Sequence, residues 1–382
     1  MFEPNDLTSF FDGHLEEVLA LLRRLVEMES FSSDKSGIDR MADFLSKEFV
    51  ARGASSSIIP MTGCGNALRA VWCGNGSGSP ILLLGHLDTV WPPGTAAVRP
   101  FTIRDGKAFG PGVFDMKGGI VLSLLVCDAF REGRLKAGAD VLFLFTSDEE
   151  IGSAEGLPVL EPIAKLCRAV LCLEPPLPGG MVKTFRKGVG QFHLRVGGIS
   201  AHAGVDHAKG ANAILELSRQ VIKLQRMTDY SRGITVSVGK TEGGSAANVV
   251  PDSARAEIDF RFSKIIDGRR LERRIRRLRP VDERCSIELE GGINRPPLER
   301  TPAVFGLYQK AKSLAASLGF DLGEGETGGG SDGSFTAALG IPTLDGLGID
   351  GDGAHALHEH IQIADIPRRA ALLGLLAQEL SR

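Results

Sequence analysis

The sequence predicts an α/β protein with a mixed, mostly parallel sheet flanked by helices and with an inserted α+β domain. Short apolar runs alternate with helical stretches in the first half of the chain, and the same pattern returns near its end. Between them, strands with alternating apolar and polar residues predict a different kind of sheet. At 382 residues the chain also exceeds the roughly 250 to 300 residues at which single cores stop growing. We therefore expect one domain formed by residues 1–186 and 293–382, interrupted by a second at 187–292.

The first part of the chain has the pattern of a buried sheet covered by helices. Apolar residues recur at helical spacing in three stretches, residues 15–28, 38–52 and 118–130. Short apolar runs predict four strands, at residues 68–72, 81–84, 141–145 and 169–173. Strands that lack polar alternation and alternate with helices are typical of a buried, largely parallel sheet.

The pattern changes near Lys187 and changes back after Pro297. Apolar and polar residues alternate in three segments, residues 190–196, 234–238 and 256–262, as expected for a sheet with one solvent-exposed face. Helices are expected beside them at 211–225 and 267–279. After Pro297, helices at 303–318 and 366–380 and an apolar run at 342–347 restore the first pattern. The first domain is therefore expected to be discontinuous.

Composition and charge favour a folded protein that acts on small molecules. Apolar residues make up 43% and charged residues 24% of the chain, and 44 basic and 47 acidic residues are mixed along it. No block of one sign is available to collect nucleic acid or anionic lipid. The apolar runs are far shorter than the roughly 20 residues of a membrane span, and the polar N-terminus is unlike a secretory signal. Six cysteines without a CxxC spacing favour reduced, buried thiols, and hence a cytoplasmic protein.

Ligand-type side chains follow the predicted strands at the point where each strand ends. Ligands bind at this edge of open α/β sheets, so residues distant in the chain can converge there. These residues are His86 and Asp88, Glu149 and Glu150, and Glu174. Asp115 adds another, because glycines on both sides allow a sharp turn ahead of a helix. His355 follows a further glycine-rich turn.

Carboxylate and imidazole groups without paired cysteines suit zinc, with cobalt or manganese as alternatives. A hydrolytic two-metal site needs a bridging carboxylate and two further ligands for each ion, and five of these residues satisfy that count. Asp88 is placed to form a hydrogen bond with the ring nitrogen of His86 that does not bind metal. Successive side chains of extended backbone point in opposite directions, so one of Glu149 and Glu150 can bind metal while the other acts as general base.

Five sequence blocks, in order and over nearly the whole chain, resemble the metal-site blocks of the zinc-dependent aminoacylase and carboxypeptidase family of metallopeptidases. The blocks are His86-Leu87-Asp88, Gly112-Val113-Phe114-Asp115-Met116-Lys117-Gly118-Gly119, Asp148-Glu149-Glu150-Ile151-Gly152, Glu174-Pro175, and His355 with Glu359. The resemblance implies a catalytic domain with two zinc ions. It implies His86 and Glu174 on one ion, Glu150 and His355 on the other, Asp115 as the bridge and Glu149 as the base. His358 stands closer to Glu359, but the family spacing selects His355.

The insert also resembles part of that family, namely its dimerisation, or lid, domain. The matching segments are Ile199-Ser200-Ala201-His202-Ala203-Gly204 and Gly210-Ala211-Asn212-Ala213. The resemblance implies a homodimer in which His202 reaches the partner's active site and holds the scissile carbonyl. It also implies that Asn248 contacts the substrate.

Within the family, the chain looks most like the bacterial glutamate carboxypeptidase branch. The supporting segments are Lys187-Gly188, Asn294-Arg295-Pro296-Pro297 and Gly328-Gly329-Gly330-Ser331-Asp332-Gly333. The resemblance implies that Arg295 binds a substrate carboxylate, which suits a planar guanidinium, with Gly330 beside the substrate. The alternative for Arg295 is an ordinary surface arginine.

We expect an enzyme that releases a C-terminal amino acid, glutamate, from a small peptide or an N-acyl amino acid. Two alternatives stay open. An acetyl- or succinyl-amino acid deacylase needs the same metal site with a different pocket. A non-catalytic scaffold could keep the fold without the activity, although an intact set of ligands and base argues against it.

Overall fold

The computed structural model describes residues 4–382, so the first three residues of the polar N-terminal segment lie outside it. The described chain forms two compact units. The large unit contains the chain up to Phe185 with Arg300–Glu326 and Ser331–Arg382. The insert unit contains Arg186–Glu299 with Thr327–Gly330. The domain limits at 187 and 292 stay a prediction, and residue 292 lies inside the strand Ser286–Arg295.

A six-stranded sheet forms the centre of the large unit. Its strands are, in spatial order, Ser55–Ile59, Ala67–Trp72, Val141–Thr146, Ile81–His86, Ala169–Cys172 and Thr343–Leu344. The last four strands of this order run parallel to one another, and the first two are antiparallel to their neighbours. All residues of Val141–Thr146 and Ile81–His86 are buried. The predicted mixed, mostly parallel sheet is confirmed.

The large unit also contains helices, several of which pack on this sheet. They are Pro4–Asp12, Leu15–Glu27, Lys35–Ala51, Thr95–Val98, Gly118–Arg131, Gly156–Ala164, Pro302–Ser317, Gly333–Ala338 and Ile366–Leu380. Gly118–Arg131 is buried through all but its last residue, because apolar side chains lie all around it and it contacts both Leu15–Glu27 and Ile366–Leu380. The sequence prediction missed Pro4–Asp12, Thr95–Val98, Gly156–Ala164 and Gly333–Ala338.

The remaining strands of the large unit are short. A four-stranded sheet has the order Gly351–Asp352, His360–Gln362, Lys107–Phe109 and Thr102–Arg104, with antiparallel neighbours. Val182–Arg186 pairs with Glu324–Thr327. The four-stranded sheet joins two segments that are distant in the chain, namely the segment before the Asp115 turn and the segment around His355.

The insert unit is an antiparallel sheet with two helices. Its strands are, in spatial order, Thr235–Gly243, Ser253–Phe262, Gly188–Gly197 and Ser286–Arg295, and its helices are Ala213–Gln225 and Ile265–Arg276. Residues of Ser253–Phe262 alternate between exposed and buried, so the sheet has one apolar face. A small two-stranded antiparallel sheet, Ala201–His202 with Val249–Val250, completes the unit.

The helices and the cysteines bear on two further expectations from the sequence. No helix within residues 4–382 is long and apolar enough to cross a membrane. All six cysteines are free, and five of them are buried. The expectation of buried thiols is wrong for Cys73, which is exposed because it directly follows the end of the strand Ala67–Trp72.

Candidate metal centre

Three neighbouring parallel strands deliver acidic and imidazole side chains to one edge of the central sheet. His86 is the last residue of Ile81–His86, Glu150 follows Val141–Thr146, and Glu174 follows Ala169–Cys172. Because the strands are parallel and in register, their carboxyl ends coincide. The local sequence pattern and the sheet topology together therefore place these three side chains side by side.

Asp115 reaches the same edge from a sharp turn ahead of the helix Gly118–Arg131. Gly112 has φ +74°, a left-handed conformation that glycine adopts without strain. A Cβ atom on Gly119 would stand 2.2 Å from the carbonyl oxygen of Leu173, so only glycine lets the helix approach the strand end so closely. The glycines around Asp115 therefore shape the turn and the helix contact.

Asp115 lies between two histidines, with one carboxylate oxygen toward each. Its Oδ1 atom is 3.3 Å from Nε2 of His86, and its Oδ2 atom is 3.5 Å from Nε2 of His355. The same nitrogen of His86 lies 3.5 Å from Glu174, and that of His355 lies 3.1 Å from Glu150. The structure thus brings together all five residues that the sequence singled out as metal ligands.

The cluster is suited to hold metal. His86, Asp115 and Glu150 each offer one ligand atom, and these atoms lie within 4.8 Å of one another. Ligand atoms about 2.0–2.1 Å from a tetrahedral zinc ion stand roughly 3.3 Å apart, which matches the separations of 3.1–3.5 Å found here. Imidazole nitrogens and carboxylate oxygens are zinc ligands, and cobalt and manganese accept similar sets.

The electrostatics of the cluster also favour a cation. Burial tends to lower the pKa of His86, but hydrogen bonds with Asp115 and Asp88 raise it well above its usual value. Asp115 and Glu150 raise the pKa of His355 to about 10. Burial tends to raise the pKa of Asp115, but the two histidines hold it far below its usual value. In the absence of metal, the carboxylates thus draw protons onto the imidazoles, and a divalent ion would replace those protons.

Asp88 is fully buried beside the cluster and connects two strand ends. Its carboxylate accepts hydrogen bonds from the hydroxyl of Ser32 at 2.8 Å and from the backbone N–H groups of Glu149 and Glu150 at 3.2 and 3.1 Å. Nδ1 of His86 lies 2.9 Å from the backbone oxygen of Asp88 and 3.4 Å from its Oδ1. The expected ring contact is therefore made chiefly by the Asp88 carbonyl, which leaves Nε2 toward Asp115.

The backbone of Glu149 and Glu150 differs from the expectation. These residues form one 3₁₀ turn, Glu149–Ile151, so the prediction of extended backbone is wrong. The reason is that the strand Val141–Thr146 has already ended and the chain turns toward the helix Gly156–Ala164. Adjacent side chains of a 3₁₀ turn still diverge by about 120°, which lets the two carboxylates serve different purposes.

Two buried acids that were given no role from sequence hold the ligand loops. Glu359 is fully buried and accepts backbone N–H groups from Gly112, Phe114 and Asp115 at 2.8, 3.0 and 3.1 Å. The carboxylate of Asp332 accepts hydrogen bonds from hydroxyl groups on either side of the Glu149–Ile151 turn. The donors are Thr146 at 2.7 Å and Ser153 at 2.5 Å. The only sequence signal for either acid was its position inside a recognised block.

The neighbouring histidine that could compete with His355 lies outside the cluster. The side chain of His358 is 63% exposed and stands 3.7 Å from the exposed carboxylate of Asp352. The position after the glycine-rich turn, and not the distance to Glu359, therefore decides which histidine meets Asp115.

The other candidate residues belong to the insert unit. His202 and Asn248 are exposed and lie side by side at the small two-stranded sheet, where the Asn248 carbonyl accepts the N–H of Ala203 at 2.9 Å. Arg295 is only 5% exposed, so the alternative of a surface arginine is wrong. A Cβ atom on Gly330 would lie 2.6 Å from Cδ of Arg295, so glycine there makes room for the arginine side chain.

The fold and the cluster together indicate a metal-dependent hydrolase. The chain belongs to peptidase family M20/M25/M40, whose model matches residues 82–379. The family expected from the sequence blocks is confirmed, and with it the assignment as a metallopeptidase or amidohydrolase.

Relatives and solved structures agree with this membership. Carboxypeptidase G2 of Pseudomonas sp. (strain RS-16) is 29% identical over 376 residues, which cover 95% of this chain and 89% of the relative. Succinyl-diaminopimelate desuccinylase of Nitrosococcus oceani is 26% identical over 371 residues, which cover 92% of this chain and 96% of the relative. The crystal structure of aminopeptidase PepT from Bacillus cereus has a TM-score of 0.82 at 22% identity, covering 96% of this chain and 99% of that one. The structural likeness extends over nearly all of both chains.

Proposed function

We propose that this protein is a two-metal hydrolase that releases a C-terminal amino acid, glutamate, from a small peptide or an N-acyl amino acid. The observation that carries this proposal is the arrangement around Asp115, which directs one oxygen to His86 and the other to His355. A carboxylate between two imidazoles, each of which has a further carboxylate beside it, is the ligand pattern of a two-metal hydrolytic site.

Five residues would hold the metal pair. His86 and Glu174 would bind one Zn²⁺, Glu150 and His355 the other, and Asp115 both, with Co²⁺ or Mn²⁺ as alternatives. When bound, such ions acidify a water molecule and polarise the scissile carbonyl.

Glu149 is the proposed proton carrier. It shares a 3₁₀ turn with the ligand Glu150, and the buried carboxylate of Asp88 holds the backbone N–H groups of both residues. Glu149 would accept the proton of the attacking water and deliver it to the leaving amine. Asp88 would keep the turn and the ring of His86 in place during both transfers.

Arg295 is the proposed binding group for the substrate carboxylate, with Gly330 beside it and Asn248 as a further substrate contact. The guanidinium is nearly buried, and its planar fork matches a carboxylate better than an ammonium group does. The relative named carboxypeptidase G2 supports an enzyme that acts at a C-terminal residue.

A homodimer through the insert unit is the proposed assembly, with His202 serving the partner's site and stabilising the developing oxyanion. The helix Ala213–Gln225 exposes three large apolar side chains: Ile214, Leu215 and Ile222 are 40%, 50% and 54% exposed. The strand Thr235–Gly243 is the last of its sheet and pairs, within the described chain, on one side only. An apolar helix face and an open sheet edge are surfaces that association can cover.

The proposed location of the protein is the cytoplasm, with which the free cysteines agree.

The test is a release assay of the zinc-loaded protein on peptides and N-acyl amino acids, including several with C-terminal glutamate, with and without a chelator. Chelator-sensitive release of glutamate is the expected result. Release of other C-terminal residues in preference to glutamate would leave the hydrolase but overturn the glutamate preference.

A second candidate is a succinyl- or acetyl-amino acid deacylase, favoured by the desuccinylase relative. Release confined to succinyl or acetyl substrates in the same assay would select it. No release from any substrate, together with no metal uptake, would favour the scaffold alternative.

A further inference from the structure

Arg99 contacts the loop that carries His355, although it belongs to none of the sequence blocks. Its Nη2 atom donates to the carbonyl oxygen of Leu357 at 2.8 Å and to that of Ala356 at 3.4 Å. His355 itself has φ +61°, a left-handed conformation that a residue with a side chain keeps only where its surroundings hold it. The Leu357 side chain is 78% exposed, so apolar burial of that side chain does little to fix the loop.

Arg99 is connected in turn to the loop that carries Asp115. Its guanidinium carbon lies 4.4 Å from the centre of the Trp91 ring, a stacked cation–π arrangement. Nε1 of Trp91 donates to Glu359 at 2.8 Å, and Glu359 accepts the backbone N–H of Asp115. A continuous set of contacts therefore runs from the loop of His355 to the loop of Asp115.

Arg99 is itself held in position. It follows the short helix Thr95–Val98, and its N–H donates to the carbonyl of Thr95 at 2.8 Å. The carboxylate of Glu29 accepts the N–H groups of Gly94 and Ala96 at the start of that helix, at 2.9 and 2.8 Å. Because its backbone is anchored in this way, Arg99 can hold the two loops at a fixed separation.

We propose that Arg99, acting through Trp91 and Glu359, is a positioning residue that sets the His355 loop against Asp115 and so determines the affinity of the second metal position. This inference rests on the proposed two-metal function. The two positions are unequal in support: His86 and Glu174 are buried at the ends of adjacent strands, whereas the His355 side chain is 50% exposed on a loop. Because Arg99 bonds directly to the His355 loop, the position formed by His355 and Glu150 depends on it most.

The experiment is a calorimetric titration of the metal-free protein with Zn²⁺, repeated with Co²⁺ to follow its absorption bands. In Arg99→Ala the second equivalent is expected to bind about 10- to 100-fold more weakly, the usual range for groups that orient a ligand, while the affinity of the first changes much less. The Co²⁺ bands that appear with the second equivalent should shift to higher metal concentration. At saturating metal, kcat should return toward the wild-type value with KM unaltered.

Three further variants separate positioning from general stability. Arg104→Ala removes a similar guanidinium that lies 4.2 Å from the centre of the Phe109 ring and, within residues 4–382, makes no hydrogen bond to the His355 loop. It should leave both metal affinities unchanged. Arg99→Lys keeps a cation that can donate to the Leu357 carbonyl and should recover part of the loss. Trp91→Phe keeps the stacking ring but removes the N–H that contacts Glu359, and should fall between Arg99→Ala and wild type.

The outcomes distinguish this inference from the function on which it rests. An unchanged second affinity in Arg99→Ala overturns the positioning role, as does an equal loss of both equivalents with a matching fall in Tm. A wild-type protein that takes up fewer than two equivalents overturns the two-metal function, and the positioning role with it.

Discussion

The metal-ligand loops of the large unit and the small two-stranded sheet that carries His202 in the insert unit are built in opposite ways. Buried acids hold two of the ligand loops: Asp88 and Asp332 hold the turn of Glu149 and Glu150, and Glu359 holds that of Asp115. His202 is exposed, and its Nδ1 atom accepts a hydrogen bond from the backbone N–H of Gly204, two residues on, at 3.1 Å.

The two regions differ in what holds their functional side chains in place. Residues that hold ions at defined separations need support within their own chain, because a ligand that is misplaced by a fraction of an ångström loses affinity. An exposed histidine on a small two-stranded sheet is suited to a site that is completed by another molecule. Four substitutions test this contrast, beginning with the largest expected effect.

Glu149→Gln is expected to lower kcat by about 10²–10⁴-fold, the usual contribution of a general base, while both metal ions stay bound. The reason is that glutamine cannot accept the proton of water, and that Glu149 is not among the five ligands. Steady-state kinetics and metal analysis measure the two effects. Glu161→Gln, which alters an exposed ion pair with Lys165, is the control and should keep kcat. Near-normal turnover in Glu149→Gln would remove Glu149 as the base.

His202→Asn is expected to lower kcat by about 10²–10³-fold, as the loss of an oxyanion donor does, without changing metal affinity. When these chains are mixed in equal amounts with Glu149→Gln chains, about half of the dimers contain one chain of each kind, and one of the two sites in each such dimer is complete. About a quarter of the wild-type activity should therefore return. Exposed His193 provides the control, His193→Asn. If mixing restores no activity, His202 acts within its own chain or does not act at all.

Asp88→Asn is expected to weaken metal binding by about 10- to 100-fold and to lower the free energy of unfolding by about 1–3 kcal/mol. An amide NH₂ cannot accept the N–H groups of Glu149 and Glu150, so one buried donor loses its partner. Denaturant unfolding of the metal-free protein and metal titration measure the two changes. The exposed Asp43→Asn should alter neither. A variant with unchanged metal affinity would show that the ligand turn does not need Asp88.

Arg295→Lys is expected to raise KM for substrates with a free C-terminal carboxylate about tenfold, with little change in kcat or metal affinity. Lysine keeps the charge but lacks the two parallel donors of the guanidinium. Initial rates on a peptide and on its C-terminal amide measure the effect, since the amide should be a poor substrate for both proteins. An equal KM for the two proteins would contradict the carboxylate role.

The strands and their ligand-type residues were predictable because both are local properties. Uninterrupted apolar runs mark strands buried on both faces, and the residues that follow them mark the edge where ligands bind. The helix Gly156–Ala164 was missed because Pro162 inside it is a helix-breaking signal. The strand Ser286–Arg295 was missed because Gly291 and Gly292 interrupt its alternation, and Gly291 has φ +120°.

The sequence by itself determined the family, the order of the strands along the chain and the chemical types of the candidate ligands, because apolar periodicity and residue type depend only on near neighbours in the chain. Only the tertiary structure decided that Asp115 directs its two oxygens to two different histidines and that the Arg295 side chain is buried. It also decided that Arg99 connects two ligand loops through Trp91. Each of these facts is a distance between segments far apart in sequence, and such distances exist only once sheet order and packing have brought the segments together.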